Sequence, residues 1–306
     1  MNPSPLISLL IFPAGLSLMV VGMLYEWVDR KLVARFQNRI GPRWFQPFAD
    51  MLKLFGKEQI TPASANALLF FALPVAALAG ALTASLYVPL MGLPPSHSFP
   101  GDLIVTLYLL SLLTMCIGLA GWNTSSRFSL IGATRALTQL FAYEAPFLLA
   151  LLGPALAAGS WQVSSVNEYA RSHWLVLTQP VGFLVALIGL MGKLELPPFD
   201  APEAETEIVA GALTEYSGRG LAIFKIGKSV ELITGITLVS AFYLGGLAGL
   251  PDFLIKTLGV LVLMVILQTL LTRLRIDQTV GLWWRFGAIL VLAQILLIIF
   301  LKGNLP

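Results

Sequence analysis

Eight stretches of this chain run for about twenty residues with few or no charges, the length a helix needs to cross the hydrocarbon core of a bilayer. They fall at roughly 6–26, 65–90, 101–121, 135–158, 174–194, 219–247, 251–273 and 281–302. Composition agrees: 57% of the 306 residues are hydrophobic and 11% charged, with a mean hydropathy of +0.83. A soluble domain carries about 25% charged residues, and a globular core cannot hide so much apolar surface behind so few. The expected fold is therefore all-α, a polytopic membrane protein forming a single membrane domain over 1–306. Disorder, nucleic-acid binding and a secreted disulfide scaffold are excluded on the same grounds.

The first run lacks a basic leading segment and a small-residue cleavage site, and Glu26-Trp-Val-Asp-Arg-Lys31 follows it, so it reads as a retained helix rather than a signal peptide. Basic residues set orientation. Fourteen of the nineteen fall on one side: Arg30, Lys31, Arg35, Arg39, Arg43, Lys53, Lys57, Arg127, Arg135, Lys193, Arg219, Arg273, Arg275 and Arg285. That side is expected to be cytoplasmic, which puts both termini on the outer face of the cell's inner membrane.

Two cytoplasmic segments are too elaborate to be plain connectors. Within the loop 27–64, the stretch 44–57 places Trp44, Phe48, Met51, Leu52 and Phe55 at helical spacing, with Gln46, Asp50, Lys53 and Lys57 opposite. This is an amphipathic interfacial helix, serving either as a membrane-surface anchor or as one wall of a cavity. The loop 195–220 holds Glu195, Asp200, Glu203, Glu205, Glu207 and Glu215, six of the sixteen acidic residues. Asp200, Pro202 and Glu203 resemble the capped start of a helix that would put Glu203 and Glu207 on one face. Such a run is a solvated loop in most proteins. Between membrane spans, neighbouring carboxylates in low dielectric raise one another's pKa and become able to exchange protons near neutrality.

Ionisable groups at membrane depth are costly, about 2.5–3.5 kcal/mol each on insertion scales, and persist where they pair, face a wet cavity or carry an ion. Glu144 lies about ten residues inside the fourth run, and Lys225, Lys228 and Glu231 step along the sixth at i, i+3, i+6. Either a buried Lys–Glu pair fixes helix register there, or a polar axis runs from the acidic loop toward the membrane centre. Pro146 and Pro180 interrupt their runs, as an ordinary kink or beside a water-lined path.

Other chemistry is sparse. Cys116 is alone, so no internal disulfide forms and an iron–sulfur cluster, needing about four thiolates, has no ligand set here. His97 and His173 stand apart with no carboxylate spacing around them, so no metal site is expected. No phosphate-binding loop, dinucleotide fingerprint or nucleophile–base constellation is present, which disfavours an ATP-driven pump or a hydrolase.

Four stretches then carry a resemblance. They are Arg30-Lys31 with Arg35-Phe-Gln-Asn-Arg39-Ile-Gly-Pro42, Gln46-Pro-Phe-Ala-Asp50 and Lys53-Leu-Phe-Gly-Lys-Glu58; Ile131-Gly-Ala-Thr-Arg135 with Gln139 and Tyr143-Glu144; Pro198-Phe-Asp200-Ala-Pro-Glu203-Ala-Glu205-Thr-Glu207 with Thr214-Glu-Tyr-Ser-Gly-Arg219; and Arg273-Leu-Arg-Ile-Asp277-Gln278. In this order they resemble the H-subunit family of respiratory complex I and its relatives in energy-converting [NiFe]-hydrogenase complexes. Only Arg43-Trp-Phe45 separates Gly41-Pro42 from Gln46, a short form similar to the hydrogenase-related branch, including formate hydrogenlyase.

The resemblance implies a coupling subunit that is not itself catalytic and binds no cofactor of its own. Partner subunits on the cytoplasmic side would carry [4Fe–4S] clusters and, in the hydrogenase branch, [NiFe]; antiporter-like membrane subunits would lie beside it. By motif, Glu203, Glu205, Glu207 and Glu215 correspond to an acidic funnel and Glu144 to the carboxylate receiving its protons. Glu195, Asp200, Lys225, Lys228 and Glu231 complete the candidate relay, and Arg35, Arg39, Gln46, Asp50 and Lys53 the docking region. Lys225 and Lys228 are not part of the complex I pattern. The alternative within the family is a quinone-reducing enzyme with a quinone chamber. A self-standing transporter would need inverted repeats, which the two halves do not show, and an inert anchor would make the carboxylates dispensable.

Overall fold

The computed structural model describes residues 9–303, without the side chains of Glu205 and of residues 301–303. The described residues are helical, with no strand. Helix α1 (Gly15–Phe36) leads to α2 (Gln46–Gly56), which starts on Pro47 in its first turn. Helix α3 (Ala67–Ser85) is capped by Asn66, whose side chain accepts from the Leu68 and Leu69 amides. Then come α4 (Asp102–Asn123) and α5 (Arg127–Ala158), the latter closed by Gly159 at φ 69°. Short helices α6 (Val163–Ser172) and α7 (Leu175–Thr178) precede α8 (Pro180–Lys193), so the fifth apolar run breaks at Gln179, where Pro180 cannot donate to the ladder. The four-residue α9 (Glu205–Ile208) lies in the acidic loop ahead of α10 (Gly218–Tyr243) and α11 (Leu250–Leu270). Finally α12 (Ile276–Leu282), a π-turn at Trp283–Gly287 and α13 (Ala288–Gly303) run on as one rod.

Five of these are long and apolar enough to cross a membrane: α3, α4, α5, α11 and the run Ile276–Phe300. The expected count of eight is thus not reached by length and composition. Helix α8 is apolar but has 14 residues. Helices α1 and α10 have the length but carry charge: Glu26, Asp29, Arg30, Lys31 and Arg35 on the first, Arg219, Lys225, Lys228 and Glu231 on the second.

Packing explains how α10 tolerates its polar residues. Every residue from Ser229 to Tyr243 is buried, because α1, α2, α3 and α11 wrap this helix. A helix sheathed in protein need not be apolar all round, provided its polar groups are bonded. Thr234, Thr237 and Ser240 each donate to the carbonyl one turn back. Close approach is set by glycine: a Cβ on Gly22 would stand 2.6 Å from the Ser229 carbonyl oxygen, so α1 crosses α10 backbone to backbone.

The amphipathic helix forms as expected and packs on α1 and α10 through Pro47 and Met51, while Leu52 stays 74% exposed. The helix expected to start at Asp200 does not form. Ala204 adopts a left-handed conformation, φ 31°, and α9 begins only after it. The Asp200 carboxylate turns to Arg273 at 3.4 Å instead of capping. The loop is pinned from two sides: Gln139 donates to the carbonyls of Gly192 and Phe199 at 2.9 and 2.8 Å, and the Leu274 amide to that of Pro198 at 2.9 Å. The chain ends, and with them the expected outer placement of both termini, lie outside the described residues.

Candidate functional site

Where α8 ends, the chain turns sharply through Glu195, whose φ is 54°, and crosses in front of α10. Side chains from α1, α10 and this crossing enclose a cavity of about 290 Å³. Glu26, Asp29 and Arg30 line one wall, Lys225, Lys228 and Ser229 another, and Glu195 and Glu203 the third. Lys228 sits at the centre. Its Nζ donates to Glu195 Oε2 at 2.6 Å and also to Glu203 Oε1.

The two carboxylates differ in setting. The Glu195 side chain is 5% exposed and that of Glu203 48%. Burial pushes the Glu195 carboxyl above the ordinary carboxylate range, against the opposing pull of Lys228. The Lys228 ammonium holds Glu203 below that range. One lysine thus bridges an acid that keeps its proton more readily and an acid that stays ionised at the mouth.

Deeper in the bundle a second pair follows. Lys193, the last residue of α8, stands 3.5 Å from Glu231 on α10, the side chains being 2% and 1% exposed. Its Nζ also reaches Ser111 Oγ at 3.4 Å and lies 5.8 Å from the centre of the Tyr143 ring. Glu231 is within electrostatic reach of Glu195 and Lys228, and the Tyr143 hydroxyl of Glu231, Glu144 and Glu195. That hydroxyl lies by Thr114 but makes no hydrogen bond of normal geometry. Two groups of ion pairs result, Glu203–Lys228–Glu195 at the cavity and Lys193–Glu231 deeper with Tyr143 beside it, and no ion pair among the described residues joins them or reaches Glu144.

Several expected members stand elsewhere. Glu144 is partly buried in mid-α5 and makes no ion pair among the described residues. Lys225 is exposed at the cavity mouth. Lys228 and Glu231 do not pair with each other within α10: Lys228 takes Glu195 and Glu203, and Glu231 takes Lys193, so of the two readings the sequence leaves open the in-helix register pair does not form. Glu207 points away, to Arg135 at 2.8 Å and Arg273 at 3.5 Å, on a separate surface patch that Asp200 shares. These arginines hold its carboxyl below the ordinary range. Glu203 and Glu207 thus do not share a face, because the break at Ala204 interrupts the helical register. Glu215 is half-buried with no ion pair among the described residues, and the Glu205 side chain lies outside the described part of the chain.

The docking residues divide similarly. Gln46 donates to Asp50 at 2.9 Å, Asp50 faces Arg30 at 3.7 Å, Arg30 binds Glu26, and Glu26 accepts from Ser229 at 2.8 Å. This chain of polar contacts ties α2 to the cavity. Arg35, Arg39 and Lys53 are exposed, with no ion pair among the described residues.

Lys193, Glu26 and Asp29 join the site without any motif or spacing that assigns them to it, and Tyr143, although it stands beside Glu144 in one of the resembling stretches, is given no role there. The usable signal for Lys193 is its place as the lone charge of an apolar run; its position at the end of that run makes it look like a loop residue on the basic side. Among the described residues no three Cys, His, Asp or Glu side chains gather as metal ligands, and Cys116 is buried with a free thiol.

Comparison with known proteins gives a consistent result. The NADH dehydrogenase family matches residues 7–299. The second H-type subunit of the NADH-quinone oxidoreductase of Geobacter sulfurreducens is 35% identical over 292 residues, covering 89% of this chain and 88% of its own. The corresponding H-type NADH-quinone oxidoreductase subunit from Dehalococcoides mccartyi is 33% identical over 298 residues, covering 91% and 82%. A chain of the membrane-bound sulfane sulfur reductase, an archaeal respiratory membrane complex, superposes with a TM-score of 0.85 at 26% identity, covering 92% of this chain and 96% of that one. The expected family and the all-helical membrane fold are therefore both met, and this chain belongs to the NADH dehydrogenase H-subunit family, the membrane subunits of complex I-like respiratory complexes.

Proposed function

We propose that this subunit couples electron transfer in a docked hydrophilic module to ion translocation, by passing protons along Glu203, Lys228, Glu195, Glu231 and Glu144. The observation that carries the reading is the shared Lys228: it joins an exposed carboxylate to a buried one beneath the loop that closes the cavity. A charge arriving near Glu203 changes the balance at Lys228, and the buried Glu195 answers by releasing or taking a proton. Glu231 and Glu144 continue the path toward neighbouring antiporter-like subunits. The redox groups, [4Fe–4S] clusters and in the hydrogenase branch [NiFe], belong to the partners; every group named in this chain holds or moves a proton.

In this reading the module docks on the cytoplasmic side against α2 and the acidic loop, and both termini face outward. Exposed Trp44, Leu52 and Phe55 beside Lys53 offer an apolar and basic face for that contact. The test is Glu144→Gln in the assembled complex. Electron transfer is expected to persist while ions moved per electron fall about a hundredfold, the order a positioned acid–base group contributes. Normal pumping would remove Glu144 from the path.

A second reading, a quinone-reducing enzyme, is favoured by the names of the curated relatives. The cavity lining weighs against a greasy ligand there, since only Leu194, Leu196 and Leu232 stand among its charged side chains. Nickel in the purified complex, or bound quinone in its place, separates the branches.

A further inference from the structure

Arg135, Arg273 and Arg275 meet at a rim of the bundle that the relay does not use. With Glu207 and Asp277 among the other lining residues, they enclose a second cavity of about 390 Å³. Each arginine stands at the end of an apolar span: Arg135 where the run 135–158 begins, Arg273 shortly after α11, and Arg275 just before α12. The cavity therefore opens at the level where hydrocarbon gives way to headgroups, on the side that carries most of the basic residues. Basic pockets between spans at that level are where acidic lipid headgroups are held.

Three carboxylates already face these guanidiniums, so the site is neutral as it stands. Arg135 donates to Glu207 at 2.8 Å and to the Ala201 carbonyl at 3.3 Å. Arg273 lies 3.4 Å from Asp200 and 3.5 Å from Glu207, and Arg275 lies 3.3 Å from Asp277. What marks the site is its donors. A guanidinium carries five N–H groups in a planar fork, and these contacts use one or two on each. Glu207 is half-exposed on the four-residue α9, and the Arg275 side chain is 80% exposed. Exposed ion pairs contribute little, so Glu207 yields readily to a ligand with more acceptor oxygens. A phosphodiester is such a ligand, and its geometry matches the arginine fork.

The surface below the arginines separates a lipid from a soluble anion. Helix α5 and the rod of α12 and α13 pack against each other. Both leave apolar side chains uncovered: Phe141 on α5, and Leu282, Phe286 and Ile289 on the rod. These lie about two to four turns further into the spans than the arginines. A headgroup bound at the arginines thus has its acyl chains beside apolar surface, which a free phosphate has no use for.

We propose that this cavity binds the phosphodiester headgroup of an acidic phospholipid through Arg135, Arg273 and Arg275, and that Glu207 occupies the arginines when the lipid is absent. Lipid binding exchanges one anion for another, with no covalent step. It releases Glu207, and α9 with it, from the arginine clamp. The inference goes beyond the relay and does not depend on it: it states what the membrane itself contributes to the setting of the acidic loop.

The test uses the complete complex in phosphatidylcholine nanodiscs containing subsaturating phosphatidylglycerol with a diazirine near the glycerol end of one acyl chain. Mass spectrometry of the photolabelled peptides gives the site and the yield. Label is expected on residues 131–141 and 274–289. Arg275→Glu, at an exposed position that folding tolerates, should lower the yield about tenfold, the equivalent of one charge-assisted hydrogen bond. Glu207→Gln should raise it about twofold or more, because the internal competitor has lost its charge. An unchanged yield in either variant overturns the inference. So does equal labelling by a phosphatidylcholine analogue, which makes the groove a general lipid contact. Loss of the label in excess inorganic phosphate means a free-anion site and overturns the lipid. Absence of label on these peptides in the wild-type complex means that a partner subunit covers this face, and overturns it too.

Discussion

Among single side chains, Glu203 and Glu207 stand four residues apart and hold different partners, the first Lys228 over the cavity, the second Arg135 and Arg273 on the surface. Glu203→Gln is expected to slow coupled turnover by about tenfold or more, whereas Glu207→Gln should leave it within about twofold, as exposed ion pairs contribute little. Turnover of the two variants side by side checks this, and equal loss in both would merge the patches. The pH dependence of the loop follows from Lys228 holding Glu203 below its ordinary range. A carboxyl with a lowered folded pKa contributes stability that is complete above the unfolded value, about 4.3, and fades as pH falls through the folded one. Hydrogen exchange over 195–208, corrected for its intrinsic rate, should therefore stay protected from neutrality down to about pH 5 and open below about pH 4; Glu195, raised by burial, works in the opposite sense. The acidic residues themselves were legible in the sequence, since six carboxylates crowded between two membrane runs stand out against an otherwise apolar chain. Their partners were not. Lys193 meets Glu231, and Lys228 meets Glu195, across different segments, and no periodicity within one helix encodes such a pairing.

For the helices, what positions the site is glycine at crossings and a left-handed residue in the loop. A Cβ on Gly132 in α5 would meet the Ala212 nitrogen at 2.3 Å, in the short turn that seats the acidic loop. Gly132→Ala should therefore lift that loop and depress coupled turnover, with a stability loss of about 1–3 kcal/mol from overpacking against backbone. At Gly56, by contrast, a Cβ meets nothing within 4 Å, so Gly56→Ala at the end of α2 should be neutral or slightly stabilising. Thermal melts of the purified complex distinguish the two; equal effects would mean the crossing has slack. Most helices were legible from apolar periodicity and caps, including α2 and the break before Pro180. Helix α10 was the weakest, for a physical reason: hydropathy measures compatibility with lipid, and this helix meets other helices instead. The missing helix at Asp200 has a comparable cause, as Arg273 draws off the carboxylate that would have capped it.

As a whole, the molecule is a helical bundle in which α1, α2, α3 and α11 wrap α10, with a charged cavity between α1, α10 and the crossing at Glu195. Family and fold agree with what the motif order implied, and the structural match to a respiratory membrane complex covers nearly the full chain. The relay makes one demand on the assembled molecule: its buried oxygens must be wet. Glu195 Oε1, both Glu231 oxygens and the Tyr143 hydroxyl lack hydrogen-bond partners within the protein, and ordered water is the ordinary remedy for such groups. The most direct measurement is the ordered-water density of the intact complex at a resolution that shows individual waters. The account predicts waters at steps of about 3 Å linking Glu195, Glu231, Tyr143 and Glu144; apolar side chains closed around these same oxygens, with no water between them, would contradict it.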